Sequence, residues 1–310
     1  MNLIVWLVLC LIWGSTWLFI KLGLRDLPPF TFAGIRFLLA SAIIWALVIA
    51  WRRPLPKNRR DWLKLAWMGS VAFALNYGLV FWGEQYINSG LAAVLQATIP
   101  AFGLIFAHIY LPSERATARK LAGAGVGIAG VSLIFYEQMK VEGLVALQGC
   151  LALLLSSICV AYSNVYLKAR LQHIDPSVIA AGQMVWGAFL LLALGAVLEG
   201  DPFAHRWSAQ SALALAYLAL IGSVLAFLLY FWLVTKIEVT KTMLISLVTP
   251  VTALLIGWVT LDERLSWRVA AGSAAILAGI WLIVFHRRGS KIEDRASRIE
   301  DRIGMQASND

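Results

Sequence analysis

Charged side chains are scarce in this chain of 310 residues. Asp, Glu, Lys and Arg make up 14% of it, against about 25% in an ordinary soluble domain. Apolar residues reach 60% and the mean hydropathy is +0.77, so one aqueous globule would run short of polar surface. A typical cytosolic enzyme, a disordered chain and a coiled coil are excluded on that ground. Cysteine is sparse too. Cys10, Cys150 and Cys159 are odd in number and sit inside apolar runs, which gives neither a disulfide framework nor a zinc knuckle. The four histidines (His108, His173, His205, His286) form no ligand cluster, and no metal or other cofactor is expected. The 17 acidic residues fall in loops, at the edges of apolar runs or in the tail.

What is present is a succession of long apolar runs. A helical crossing needs about 20 mostly apolar residues, and ten runs meet that length at roughly 3–22, 28–51, 61–82, 89–111, 119–136, 143–167, 176–198, 210–234, 240–261 and 267–286. Breakers separate them, for example Asp26-Leu27-Pro28-Pro29, Arg52-Arg53-Pro54 and Gly200-Asp201-Pro202. The runs are too long for barrel strands and do not alternate, so the expected class is an all-α integral membrane fold of ten transmembrane helices. The first run has no small-residue cleavage site after it and reads as a retained helix rather than a signal.

Lys and Arg set the orientation. With the N-terminus inside, 19 of the 26 basic residues fall in cytoplasmic segments and six on the opposite side. Both termini are therefore expected in the cytoplasm. Basic residues that follow alternate loops also argue against nucleic acid as a partner, despite a net charge of +9. Residues 289–310 form a polar cytoplasmic tail, either a short amphipathic helix on the inner leaflet or a disordered segment.

The chain also repeats itself. A shift of 147 residues aligns Lys21 with Lys168 and Pro29 with Pro176; a shift of 150 aligns Phe81-Trp82 with Phe231-Trp232 and Pro100 with Pro250. At 149, Glu114-Arg115 meets Glu263-Arg264. Two five-helix repeats are expected, at 1–138 and 143–288. Five is odd, so the second copy enters the membrane from the other side, the inverted arrangement of alternating-access carriers.

Several stretches resemble a known family: Trp13-Gly14-Ser15-Thr16-Trp17, the run from Phe32 to Ala40, Leu95-Gln96-Ala97-Thr98-Ile99-Pro100, and Leu261-Asp262-Glu263-Arg264-Leu265. They look like the drug/metabolite transporter superfamily, in particular its ten-helix EamA branch and, within it, the YddG-type amino-acid exporters. The resemblance covers nearly all of residues 1–288. It implies export of amino acids, aromatic or other neutral ones among them, or of related small metabolites, across the bacterial inner membrane. Other superfamily cargo (nucleotide sugars, purines, drugs) remains open, as does a channel. From another class, an integral-membrane enzyme on lipid-linked substrates would want clustered acids or metal ligands, for which the pair Asp262-Glu263 is the nearest approach.

Polar groups inside the runs are the site candidates, because lipid offers them no partner. Thr16, Trp17, Asn76, Tyr77, Gln96 and Thr98 fall in the outer half of the membrane; Ser163, Asn164, Ser246 and Thr249 fall in the inner half. Amide and hydroxyl groups can hold a zwitterion, while Trp17, Tyr77, Trp82, Tyr162, Tyr166 and Trp186 can wall it. The competing reading of each aromatic is a lipid-facing belt residue. Arg36 is the one cation well inside a run, a contact for a substrate carboxylate or a structural cap; the aligned second-repeat position is Gln183. Pro100 and Pro250 are symmetric hinge candidates. The absence of a mid-membrane carboxylate favours facilitated export over exchange against protons. Gly125-Val126-Gly127-Ile128-Ala129-Gly130 matches a dinucleotide fingerprint, yet lies inside an apolar run, where close helix packing is the expected role.

Overall fold

The computed structural model describes residues 1–87, 89–134, 136, 143–201, 207–252 and 267–284. The expected features at Asp262-Glu263 and in the 289–310 tail lie outside the described residues. Among those described there is no strand. We number the helices α1 (Asn2–Gly23), α2 (Pro29–Ala50), α3 (Arg59–Gly83), α4 (Ser89–Gln96), α5 (Ile99–Tyr110), α6 (Ala118–Ile134), α7 (Leu144–Arg170), α8 (Pro176–Leu198), α9 (Ala209–Lys236), α10 (Val239–Thr252) and α11 (Trp267–Val284). Seven of them, α1, α2, α3, α7, α8, α9 and α11, are long and apolar enough to cross a membrane. The other expected runs correspond to shorter helices. The fourth is interrupted at Ala97–Thr98, between α4 and α5, and residues 253–261 of the ninth lie outside the described part.

Local chemistry sets several helix starts. Pro29 and Pro176 occupy first-turn positions, where a missing N–H costs no helical bond. The Asp175 side chain accepts from the Ser177 backbone N–H at 2.9 Å, capping α8. α3 and α9 each contain a π-helical turn, Ser70–Leu75 and Leu220–Leu225, and the two turns lie 150 residues apart.

Two helix pairs organise the bundle. α2 lies along α8 and is pinned near both ends. The Glu199 carboxylate accepts from the Phe30 and Thr31 backbone N–H groups at 2.7 and 2.8 Å. Towards the other end, Arg53 pairs with Asp175 at 3.5 Å, and His173 meets Asp61 of α3 at 3.0 Å. α6 lies along α11 with glycine facing glycine. A Cβ on Gly130 would stand 2.6 Å from the Gly272 carbonyl oxygen, and one on Gly123 would stand 2.8 Å from that of Gly279. The glycines of the fingerprint-like stretch therefore lie within a helix, and two of its three contact neighbours: Gly127 faces Leu247 and Gly130 faces Gly272. Gly125 points at open space.

Large apolar side chains are distributed over both the inside and the outside. Phe32, Phe37, Phe73 and Phe81 are fully enclosed, while Leu3, Ile4, Ile49, Phe189 and Val197 stand exposed on the perimeter. That perimeter suits a hydrocarbon solvent.

The glycine contacts yield a paired prediction. Gly130→Val overpacks the α6–α11 seam and should cost about 1–3 kcal/mol. Gly125→Ala should be neutral or gain up to about 1 kcal/mol of helix propensity. Thermal melting of the detergent-purified variants checks both; equal midpoints would contradict the close seam.

Candidate functional site

A central cavity with about 1100 Å³ of atom-free space, its mouth included, lies among nine of these helices. Its walls come from α1 (Trp13, Thr16, Trp17, Ile20), α2 (Arg36), α3 (Phe73, Asn76, Tyr77, Val80) and the α4–α5 region (Gln96, Ile99). The later half contributes Val160, Ser163, Asn164 and Leu167 of α7, Gln183 of α8, Phe227, Tyr230 and Phe231 of α9, and Thr242, Ser246 and Thr249 of α10. Wall positions recur at the sequence shifts already noted. At 147 residues, Trp13, Thr16, Trp17, Ile20 and Arg36 match Val160, Ser163, Asn164, Leu167 and Gln183. At 150, Tyr77, Val80, Gln96 and Ile99 match Phe227, Tyr230, Ser246 and Thr249.

The wall hydroxyls share one habit. Thr16 donates to the Trp13 carbonyl at 2.8 Å, Ser163 to Cys159 at 2.7 Å, Ser246 to Met243 at 2.9 Å and Thr249 to Ser246 at 3.3 Å. Each proton is committed to its own helix, so these oxygens offer lone pairs to a ligand and no donor. Thr249 also supplies a donor to the Ser246 carbonyl, which Pro250 cannot bond. The amides are held by a relay across three helices. Gln96 Nε2 donates to Ser156 Oγ at 2.9 Å, Ser156 Oγ donates to Asn76 Oδ1 at 2.7 Å, and Asn76 Nδ2 donates to the Ala72 carbonyl at 3.1 Å. Elsewhere on the wall, the Tyr230 hydroxyl lies near Asn164 and Thr242.

Aromatic rings line the remainder. Trp13 packs against Phe227 and Tyr230 at centroid distances of 5.7 and 5.1 Å, and Phe227 lies 5.1 Å from Phe73. Arg36 is 1% exposed. Its Nε donates to Ser223 Oγ at 2.9 Å and its Nη2 to the Gly222 carbonyl at 3.2 Å, both on the π-turn of α9. The guanidinium stands 5.0 Å from the Phe37 ring and 5.5 Å from that of Tyr77. Nη1 has no hydrogen-bond partner among the described residues.

Of the residues singled out in the sequence, the structure brings Thr16, Trp17, Arg36, Asn76, Tyr77, Gln96 and Asn164 to this cavity. Others lie elsewhere. Trp82 borders a separate apolar groove with Phe30, Leu79 and Leu190. Tyr162 and Tyr166 pack with their rings tilted at 43°, and Tyr162 meets Phe106 and Tyr110 of α5 edge to face. Trp186 is 44% exposed and touches Phe189. Pro100 is buried in the first turn of α5, just past the Ala97–Thr98 interruption, and Pro250 is buried within α10.

Several groups escaped the sequence reading. Trp13 shares a helical face with Thr16, Trp17 and Ile20, and that spacing was visible. Ser156 likewise lies on the face of Val160, Ser163 and Asn164. Ser223 and Tyr230 carried no comparable signal. Glu84, at an apolar run's edge, is 7% exposed beside Lys21, and its Oε1 has no hydrogen bond among the described residues; hydropathy alone assigned it to the boundary. Glu114, also at a boundary, is buried and accepts from the Val239 and Thr240 backbone N–H groups at 3.1 and 3.3 Å, capping α10.

Comparison with known proteins adds the lineage. The chain is 30% identical over 276 residues to the uncharacterized transporter YoaV of Bacillus subtilis (strain 168), covering 89% of this chain and 94% of that one. It is 31% identical over 261 residues to the uncharacterized inner membrane transporter YedA of Escherichia coli (strain K12), covering 83% and 82%. Protein PagO of Salmonella typhimurium is 28% identical over 256 residues, covering 81% and 82%. One solved crystal structure superposes with a TM-score of 0.76 at 20% identity, covering 93% of this chain and 97% of that one, a likeness of fold. The pattern of the EamA-like transporter family matches residues 1–136 and 147–285. A helical membrane chain that carries this pattern through both halves, around a shared cavity, belongs to the EamA-like transporter family.

Proposed function

We propose that the protein exports amino acids, aromatic or other neutral ones among them, or closely related small metabolites, from the bacterial cytoplasm across the inner membrane. In this reading the chain crosses ten times with both termini cytoplasmic. Residues 1–138 and 143–288 form two inverted five-helix halves that rock about the central cavity. The observation that carries it is the cavity wall, where positions one repeat apart face the same space. A channel needs no such pairing; a carrier that presents one site alternately to two sides does.

The wall chemistry suits a zwitterion with an apolar body. Hydroxyl and amide oxygens accept from an ammonium group, and the cluster of Trp13, Phe73, Phe227 and Tyr230 packs the side chain. The described wall carries no carboxylate. A wall without the group that commonly exchanges proton for substrate supports movement down the substrate gradient. The interruption at Ala97–Thr98, with Pro100 beyond it, allows the two parts of the fourth run to pivot. Pro250 stands one repeat away.

Reconstituted vesicles test this. Labelled phenylalanine should show saturable counterflow, which a pore lacks, and a pH gradient should not drive its accumulation. Fusion reporters should place Met1 and Gly143 in opposite compartments; a shared compartment would overturn the inverted arrangement. Two comparisons within the chain sharpen the test. Trp17→Ala should slow counterflow by about tenfold, equivalent to roughly 1.4 kcal/mol, while Trp186→Ala, on the perimeter, should leave it unchanged. Pro100→Ala should lower exchange without loss of folded protein, read from counterflow against the yield and melting midpoint of the same preparation.

A further inference from the structure

Arg36 is the single charged side chain on the described cavity wall, and its bonding is incomplete. A guanidinium has five N–H donors in a planar fork. The two hydrogen bonds found use Nε and one hydrogen of Nη2, so one edge of the fork is fixed against Ser223 and Gly222 of α9. Nη1 is left without a partner among the described residues, at a site where the side chain is 1% exposed. Among the described residues no carboxylate pairs with it, and a buried cation without one is costly. The Phe37 and Tyr77 rings offset only part of that cost.

A purely structural role does not account for this arrangement. Tying α2 to the π-turn needs only the bonds already made by Nε and Nη2. The corresponding position of the second half, one repeat on, is the neutral Gln183, which is also buried and also on the wall. Packing at this depth thus accommodates an uncharged side chain, and the charge is confined to one of two related places. What a fixed, half-bonded guanidinium complements is a planar anion that meets its Nη1 side, the geometry of a carboxylate.

We infer that the cavity recognises its solute through a carboxylate held by the Nη1 side of Arg36, with Ser223 and Gly222 as positioning groups, and that an α-amino group is dispensable. The ligand class is then carboxylates with a compact apolar or aromatic body, of which α-amino acids are one kind. A single guanidinium with no second cation on the described wall suits a monoanion better than a phosphate dianion, and it disfavours organic cations outright. Ammonium binding rests on neutral oxygens alone, without a carboxylate, so it contributes less than the carboxylate end. This inference rests on the carrier reading for its location, but it concerns recognition and fails separately.

The experiment uses the full-length protein in detergent and in vesicles with four probes of one size: phenylalanine, 3-phenylpropionate, phenylalaninamide and phenethylamine. Thermal stabilisation and competition against labelled phenylalanine counterflow are read for each. The expected result is that the two acids bind within about tenfold of each other and the amide and amine at least about a hundredfold more weakly. Arg36→Gln should weaken both acids by a similar factor, with Arg36→Lys intermediate, at unchanged helical content. Equal binding of the amide and the acids overturns the inference, as does a folded Arg36→Gln protein that binds the acids normally, or a failure of both acids to bind. If Arg36→Gln does not fold, the comparison of acid and amide on the unaltered protein decides alone. Saturable counterflow of an amine or uncharged solute would keep the carrier and remove the carboxylate rule. Arg36-dependent acid binding without counterflow of any solute would do the reverse.

Discussion

Hydrocarbon supplies no hydrogen-bond partner, and this architecture follows from that deficit. Backbone groups are satisfied within helices, and the exposed ends of those helices draw on the few ionisable side chains present. Glu199 closes the start of α2 and Glu114 the start of α10. Lys168 bonds the Val234 and Ile237 carbonyls at the end of α9, at 2.6 and 2.5 Å. The charges that appear as boundary markers in the sequence therefore work as helix caps, and several reach across from a distant helix. That explains why so few suffice.

The same deficit shapes the cavity. A hydroxyl in such a wall donates first to its own helix, so Thr16, Ser163, Ser246 and Thr249 present oxygens rather than protons. Hydroxyl donors towards the cavity are consequently few, and among the described wall residues the buried nitrogens without a partner are Arg36 Nη1 and Trp13 Nε1. Placing the guanidinium against a π-turn is economical in backbone terms, because the widened turn leaves the Gly222 carbonyl for Arg36. The rings of Phe37, Tyr77 and Phe227 close around the same corner.

The close-packed helix pairs and the cavity walls occupy different parts of the bundle. The α2–α8 pair is tied near both ends, and the α6–α11 seam is closed by glycine contacts. Between them, α1 and α7 contribute matching faces to the cavity, and the interruption before Pro100 lies close to its wall residue Gln96. In the alternating-access reading proposed above, such pairs would move against each other with the site at their junction.

Much of the fold was legible in the chain because hydropathy reports solvent directly: apolar runs of crossing length, breakers between them and the recurrence at 147–150 residues require no tertiary information. The polar wall was partly legible for the same reason, since Asn76, Gln96, Asn164 and Arg36 are anomalies in lipid wherever they point. Aromatic residues were not, because lipid and a cavity accept the same ring; only packing sent Trp17 and Tyr77 inward and Trp82 and Trp186 elsewhere. Nor did local sequence signal that Glu84 and Glu114 would be buried, or that Ser156 and Ser223 would become partners of residues 80 and 187 positions away. Those contacts depend on which helix faces which. The sequence by itself determined a helical membrane chain with a duplicated pattern, because the solvent selects that composition; only the tertiary structure decided which polar groups share one space, because facing is a property of packed helices and not of any single one.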